Sequence, residues 1–299
     1  MPKMTVRRPR AGLVALACAS APLLGVLAGC GGGGDNGIIP DNAGTSSTVR
    51  MNCTSQCIES DTLTPGQMEA HFYIVDDGSR AQAQAGFFSG FSIGYNVELE
   101  GDVLNFAQGS SSTRMALPKG DNSQFFDTLR LPGNPYLADF SNLPTGEVTG
   151  QFQMVRATQT LTSTVTLPSP FRITAPGNNA TSSKSSDAVT IQLDSVQPNA
   201  TWEVRSASCV DTTGATWSTS TGGTAQFFST TDSRSFLFDA AGYFDSLVLT
   251  RSDGTVAVLS SCAATVQATV TNNGTVADGF KAGSAISGIQ LRTVTLNLR

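Results

Sequence analysis

The sequence predicts an all-β protein built from two β-sandwich domains. Three observations predict this class: apolar and polar residues alternate over short segments, turn residues separate these segments, and long helical periodicity is lacking. Alternation with a period of two is typical of strands that bury one face. Short strands separated by Gly, Pro and Asn turns favour a sandwich over alternating strands and helices.

The first half of the chain contains six predicted strands. A short helical turn is expected within residues 56–70, before the first of them. The clearest signal is a hairpin, in which alternating residues 95–99 are followed by the turn 100–102 and a second strand. The predicted strands lie at residues 72–74, 81–85, 95–99, 103–106, 148–154 and 161–167.

The second half begins after Leu167-Pro168-Ser169-Pro170, where two prolines favour an extended linker. The turns 252–254 and 272–274 are strong hairpin signals. The predicted strands are Ala188–Leu193, Thr201–Arg205, Phe236–Phe238, Ser246–Thr250, Thr255–Leu259, Ala263–Val270 and Ile289–Leu298. This number of strands at this spacing resembles an immunoglobulin-like sandwich. It departs from antibody domains because Trp202 precedes Cys209, while Trp217 lies between the cysteines but close to the first.

The amino terminus has the pattern of an export signal. The first ten residues carry four basic residues (Lys3, Arg7, Arg8 and Arg10) and no acidic residue. The apolar run 11–28 that follows is marginal for a membrane span, which needs roughly 20 residues. A basic start, a short apolar stretch and small residues before a cut site predict a cleaved signal peptide over residues 1–29.

The sequence Leu27-Ala28-Gly29-Cys30 resembles the lipobox of bacterial lipoproteins. The resemblance implies cleavage before Cys30 and attachment of palmitate or related acyl chains to that residue. Several acyl chains make membrane anchoring stable, whereas one chain binds only marginally. Gly31 stands where an Asp would favour retention in the inner membrane, which implies the outer membrane in a Gram-negative source. The alternative is an ordinary signal peptide cut nearby, with Cys30 as a free thiol.

These features predict four segments. Residues 1–29 are the signal peptide, and residues 30–50 are the lipid anchor with a polar tether that cannot bury enough apolar surface to order itself. Residues 51–168 form the N-terminal β-domain, and residues 169–299 form the C-terminal immunoglobulin-like sandwich. The predicted fold is thus two tandem immunoglobulin-like β-sandwich domains after a lipidated flexible tether.

Composition supports an exported acidic protein. Without its leader the chain has 14 basic and 23 acidic residues and a net charge of −9. Nucleic acid is therefore not an expected partner, because phosphate backbones are bound by clustered Lys and Arg. Neither a cofactor motif nor a metal-binding motif is present in the sequence.

Four cysteines remain besides Cys18 in the leader and Cys30 at the anchor. An even number in an exported chain suggests disulfides. Three pairings are formally open, and we favour Cys53–Cys57 with Cys209–Cys262 because each bond stays within one region. The second would stabilise the fold by roughly 4 kcal/mol on the chain-entropy model. The Cys53–Cys57 spacing differs from that of thiol oxidoreductases.

Catalytic signals are weak. His71 is the single histidine of the chain, and no nucleophile motif accompanies it. Glu98 and Glu100 would face the same side of a strand and could serve a carboxylate hydrolase. The simpler interpretation is that they lie on a solvated strand face.

Adjacent aromatic residues recur at Phe87-Phe88, Phe125-Phe126 and Phe227-Phe228. Neighbours on a strand point to opposite faces, so one of each pair is a candidate for an exposed binding surface. Burial at a sheet edge or a domain interface is the alternative.

Three functional hypotheses remain open. The first is a membrane-anchored lipoprotein of the cell envelope that binds or scaffolds an envelope protein or glycan without catalysis. The second is a carboxylate-dependent envelope hydrolase. The third is an assembly factor that uses sheet edges or aromatic surface to bind other envelope components.

Overall fold

A computed structural model describes residues 57–89, 95–117, 135–185, 188–220, 224–251 and 253–299. Its architecture is all-β, which confirms the predicted fold class. The strands are β1 (Cys57–Glu59), β2 (Met68–Asp76), β3 (Ala81–Ser89), β4 (Tyr95–Glu98), β5 (Val103–Gln108), β6 (Ser111–Arg114), β7 (Tyr136–Asp139), β8 (Val148–Arg156), β9 (Gln159–Leu167), β10 (Ile173–Ala175), β11 (Ala180–Ser182), β12 (Val189–Leu193), β13 (Thr201–Asp211), β14 (Thr216–Ser220), β15 (Phe228–Thr230), β16 (Ser235–Phe238), β17 (Leu259–Asn273) and β18 (Ala285–Leu298).

Helical structure in the described residues is short. One α-helix, α1 (Ala240–Ser246), begins at Asp239, whose Oδ1 accepts a hydrogen bond from Gly242 N. Three single 3-10 turns lie at Ser60–Thr62, Pro65–Gln67 and Ala225–Phe227. In the part of the chain that the structure describes, no helix is long and apolar enough to cross a membrane.

The strands form one large sheet and two small ones. The large sheet has the order β1-β4-β3-β2-β18-β17-β13-β14, with β7 also paired to β3 and β11 also paired to β18. The first small sheet has the order β6-β5-β8-β9, and the second has the order β10-β12-β16-β15.

Each small sheet packs on a different part of the large sheet, and each contact encloses a hydrophobic core. The first core lies between β2 and β3 on one side and β5, β8 and β9 on the other, with Phe72 and Phe152 at its centre. The second core lies between β13, β17 and β18 and the sheet of β12 and β16, with Phe238 at its centre. The first core also includes residues from the predicted second half, namely Ile286 together with Val276, Ala277 and Phe280.

The large sheet continues from one half of the molecule to the other. β18 pairs antiparallel with β17 of the second half and parallel with β2 of the first half. The linker that contains Pro168 and Pro170 joins β9 to β10, as the sequence suggests. It does not interrupt the large sheet, because that sheet crosses between the halves through β18.

Small residues allow the first small sheet to approach β18 closely. A Cβ on Gly288 would lie 2.8 Å from both Leu167 Cα and Thr166 O. A Cβ on Gly274 would lie 2.2 Å from Thr164 O. Backbone therefore packs against backbone where β9 meets β17 and β18.

Two predicted elements differ in the structure. The predicted strand 246–250 is wrong, since Ser246 is the last residue of helix α1, residues 247–249 belong to no strand, and Thr250 forms an isolated bridge. The predicted strand 255–259 is reduced to an isolated bridge between Thr250 and Val256. The helical turn predicted within residues 56–70 corresponds to two 3-10 turns.

Candidate functional site

The predicted bond between Cys209 and Cys262 is present. The two residues lie directly opposite each other on β13 and β17, so the bond joins neighbouring strands of one sheet. It thus differs from the bond of antibody domains, which connects two sheets. Cys57 begins β1, while its predicted partner Cys53 and the predicted lipidation site Cys30 lie outside the described residues.

His71 lies within β2, next to an acidic residue. Its Nε2 is 2.8 Å from Glu69 Oε1, and its ring packs edge-on against Phe88. The two carboxylates considered for hydrolysis are not on one strand face. β4 ends at Glu98, and Glu100 lies in the following turn, where its backbone N–H donates to Ser60 Oγ.

The paired phenylalanines are mainly packing residues. Phe87 contributes to the first core and is 2% exposed, and Phe88 on the opposite sheet face is 8% exposed. These two residues therefore offer little surface to a partner. Phe227 and Phe228 are half-buried against the second core, in contact with Tyr243 and Phe238. Phe125 and Phe126 lie outside the described residues.

Two buried carboxylates have structural partners. Asp102 is held by the guanidinium of Arg156, which also donates to the carbonyls of Ser60 and Leu63. Asp211 accepts from Thr213, from Arg251 Nη2 at 2.7 Å and from Trp217 Nε1 at 3.3 Å. Both networks fix loops to strands.

A cleft of about 700 Å³ lies where the two halves meet, and we name it the junction cleft. Its walls come from distant parts of the sequence. They are the β2–β3 turn 76–79, the loop 143–145 before β8, the linker residues 170–173, Asp194 after β12, and residues 292–293 of β18.

Arg292 forms the floor of the junction cleft. Its Nε donates to Phe171 O at 2.6 Å, and its Nη1 donates to Asp76 O at 2.9 Å and to Leu291 O. Its Nη2 lies 3.5 Å from Asp76 Oδ2, and the guanidinium carbon lies 5.3 Å from the centre of the Phe171 ring. Burial lowers the pKa of Arg292, and the charge of Asp76 opposes that shift.

The polar residues of β18 hold the linker between the halves. Gln290 Nε2 donates to Pro168 O at 2.9 Å, and Arg292 binds Phe171 O three residues further on. On β17, Asn272 Nδ2 donates to Thr166 O at 3.2 Å. The linker is therefore held through the carbonyl groups of Pro168 and Phe171, of which Phe171 lines the cleft.

The other carboxylates of the cleft also accept structural hydrogen bonds. Asp77 Oδ1 accepts from Ser79 N and Arg80 N, both at 2.8 Å. Asp194 Oδ1 accepts from Arg172 N at 2.8 Å. Within the described residues, no group of three or more His, Cys, Asp or Glu side chains could hold a metal ion. The arrangement presents fixed polar groups to a ligand.

Sequence reasoning missed this cleft. The available signal was the position of Gln290 and Arg292 in a strand whose alternate residues are otherwise Ile, Gly, Val and Leu. Two polar residues on the buried face of a strand indicate a junction, because each needs partners in the interior.

Comparisons with known proteins do not assign this chain to a family. No family model matches the chain, and no curated protein matches it. One solved structure to which the chain is similar is a chimeric titin Z1Z2 functionalised with a KLER exogenous peptide from decorin. The similarity covers 77% of this chain and 97% of that chain, at 11% sequence identity and a TM-score of 0.16.

Proposed function

We propose that this protein is a lipid-anchored protein of the bacterial cell envelope that binds a partner without catalysis. The lipobox-like sequence Leu27-Ala28-Gly29-Cys30 supports the anchor, and the junction cleft is the observation that carries the binding function. The cleft is a concave surface where the two halves meet, and Arg292 holds two of its walls by donating to Phe171 O and Asp76 O. Binding sites commonly lie at such interfaces between rigid units.

The chemistry of the cleft supports binding over hydrolysis. A hydrolase of this kind needs one carboxyl group as an acid and a second as a base or nucleophile. Asp76 is engaged by Arg292 and Gly78 N, and Asp77 and Asp194 accept backbone hydrogen bonds. These carboxylates orient the walls of the cleft.

The binding hypothesis is tested by changing the rim while leaving Arg292 intact. Leu143 is 42% exposed and lines the cleft, so Leu143→Ser combined with Arg172→Ala should weaken saturable binding to isolated envelope fractions. Val196→Ser is the matched control, because Val196 is 50% exposed and is not part of the cleft lining. Equal binding by both variants and the wild type would show that the junction cleft is not the binding site.

The anchor is tested separately by metabolic labelling with radioactive palmitate. We expect Cys30→Ser to abolish the label and to release the protein from the membrane fraction. Cys18→Ser is the control, since it changes another cysteine of the predicted leader and should leave the label in place. A labelled, membrane-bound Cys30→Ser variant would contradict the lipoprotein assignment.

A further inference from the structure

The segment between α1 and β17 carries a group of exposed valines. Among the described residues, five large hydrophobic side chains are exposed, and three of the five lie in this segment. They are Val248, Val256 and Val258, which are 69%, 56% and 63% exposed. A single exposed valine is ordinary on a protein surface, whereas a contiguous apolar patch commonly marks a contact with a partner.

The backbone of this segment forms a short hairpin that brings the three valines together. Its register is set by the isolated bridge between Thr250 and Val256 and by backbone hydrogen bonds on either side of that bridge. In this register Val248 lies directly opposite Val258, and Val256 is two residues from Val258 on the same strand. Residues so related point to one face of a hairpin. We name the surface formed by Thr250 and the three valines the valine face.

The hairpin cannot turn the valine face inwards, because its other face is already packed. Leu247 and Leu249 contact the second core, and Ala257 is 4% exposed. Next to the turn of the hairpin, Arg251 Nη2 donates to Asp211 Oδ2 at 2.7 Å. The valine face is therefore a fixed part of the molecular surface.

Next to the valine face, the outer side of the large sheet carries small uncharged side chains. This side points away from the second core, and Thr181, Ser208 and Ser218 on it are exposed to solvent. The strand registers arrange its residues in three rows, which are Thr216, Val210 and Ser261, then Ser218, Ser208, Ala263, Asn297 and Thr181, then Ser206, Thr265 and Thr295. We name the valine face and these rows together the neutral surface, because none of its fifteen side chains is charged.

We propose that the neutral surface docks a second copy of this chain, with the two surfaces packed face to face. The chain has a formal net charge of −5 at pH 7, so two copies repel each other. A surface without charged side chains lets them meet without placing acidic groups against one another. A basic partner would instead need acidic residues on this surface, and an acidic partner would need basic ones.

The size of the neutral surface fits a weak dimer. Each outward side chain of a sheet covers about 30 Å² of the face, from the spacing of the strands and the two-residue repeat. The four side chains of the valine face alone are thus too few for a specific contact. All fifteen cover about 500 Å², and two copies together bury about 1,000 Å², which lies at the lower limit for a specific interface.

The oligomeric state of the full chain tests the proposal. Sedimentation equilibrium is measured in a density-matched detergent, with micelles in large excess so that two chains seldom share a micelle by chance. We expect a monomer–dimer equilibrium with a Kd of about 10–100 µM, because the contact is small.

Two substitutions locate the contact. Val258→Asp and Ser208→Asp each add a charge to the neutral surface, and association would bury that charge without a partner. Each should weaken the dimer at least about tenfold. Val196→Asp and Thr162→Asp are the matched controls, because they add the same charge at exposed positions outside the neutral surface. Both controls should associate as the wild type does, and circular dichroism checks that all four variants are folded.

Three outcomes would overturn the proposal. The first is a wild-type chain that stays monomeric well above the expected Kd. In that case, cross-linking of a different envelope protein that Val258→Asp abolishes would assign the surface to that protein. The second is a dimer that neither Val258→Asp nor Ser208→Asp weakens, and the third is equal weakening by the controls. None of these outcomes bears on the junction cleft, because no residue of the neutral surface lines it.

Discussion

Asp211 illustrates how single residues fix loops in this molecule. The hydrogen bond from the Thr213 hydroxyl lowers the pKa of Asp211 most, followed by that from Arg251 and those from the backbone of Thr213 and Ala215. Since the folded-state pKa lies below the ordinary value near 3.9, the ionised carboxylate stabilises the fold above that value. This contribution is lost as the pH falls from about 4 towards the lowered pKa.

We therefore expect Asp211→Asn to lower the free energy of unfolding at pH 7. At pH 2.5 the same substitution should lower the free energy of unfolding much less. Denaturant unfolding of both proteins at the two pH values measures the difference. Asp61→Asn, which changes an exposed carboxylate in a 3-10 turn, should show little effect at either pH. A penalty for Asp211→Asn that does not change with pH would refute the role of the ionised group.

The ion pair of Asp102 and Arg156 should also contribute to the stability of the fold. Asp102 is 8% exposed, and Asp102→Ala would leave a partly buried guanidinium without its carboxylate. Breaking such a pair typically costs about 3 kcal/mol or more. The double variant Asp102→Ala with Arg156→Met should cost clearly less than the sum of the two single changes, which a double-mutant cycle in urea measures. Additive costs would mean that the two side chains do not act together.

The partners and burial of individual side chains could be predicted only in part. The bond between Cys209 and Cys262 followed from their position within one region. The burial of Asp102 and Asp211 could not be predicted, because an acidic residue next to a turn has the same local pattern whether its partner is water or a distant arginine. Arg156 and Arg251 lie 54 and 40 positions away from these carboxylates.

At the scale of elements, the approach of β9 to β18 depends on Gly288. A Cβ there would meet backbone atoms of Leu167 and Thr166, which cannot move away as a flexible side chain can. We expect Gly288→Ala to destabilise the protein by about 2 kcal/mol, within the range measured for overpacked sites. Chemical denaturation compares it with the wild type.

Gly146→Ala is the control for this change. Gly146 is not in the left-handed region, and a Cβ there would meet no atom within 4 Å. We expect it to be neutral or slightly stabilising, because alanine restricts the unfolded chain. Equal effects at the two positions would show that close packing at Gly288 is unimportant.

The positions of the strands were easier to predict than the way in which the strands pair. Alternation places β2, β3, β5, β8, β9, β12 and β13 near their observed positions, because burial of one face leaves a local pattern. Pairing leaves no such pattern, so the parallel pairing of β18 with β2 was not foreseen. The strand predicted at residues 246–250 was wrong for the same reason: its apolar pattern specifies no partner strand, and the segment pairs through the bridge of Thr250 to Val256.

At the scale of the whole molecule, the shared sheet should make the two halves unfold together. Both tryptophans, Trp202 and Trp217, lie in the second half, so their fluorescence reports that half, whereas far-ultraviolet circular dichroism reports both. We expect coincident unfolding midpoints for the two signals in the wild type.

Arg292→Met should separate these midpoints. The substitution leaves Asp76 without its cation and removes the donor to Phe171 O, which weakens the joint between the halves. Arg172→Met, on the wall of the same cleft, is the control and should preserve a single transition. Coincident midpoints in Arg292→Met, or separate ones in the wild type, would contradict a joint that depends on Arg292.

The junction cleft was the least predictable feature. Its walls combine segments near residues 77, 144, 172, 194 and 292, and only the three-dimensional pairing of β18 with β2 brings them together. Hydrophobic periodicity describes neighbours along the chain, so it could predict strands that bury one face without predicting which distant segments meet at this surface.

The position of β18 also constrains the order in which the fold can form. The hydrogen bond from Ala70 N to Ser284 Oγ joins residues 214 positions apart, and the strand that follows Ser284 occupies the middle of the large sheet. Until that strand arrives, β2 and β17 each expose an open edge, and contacts over such distances form slowly. A nascent chain lacks the strand that joins these two parts of the sheet until residues 285–298 have been synthesised, so both edges stay open to solvent up to that point.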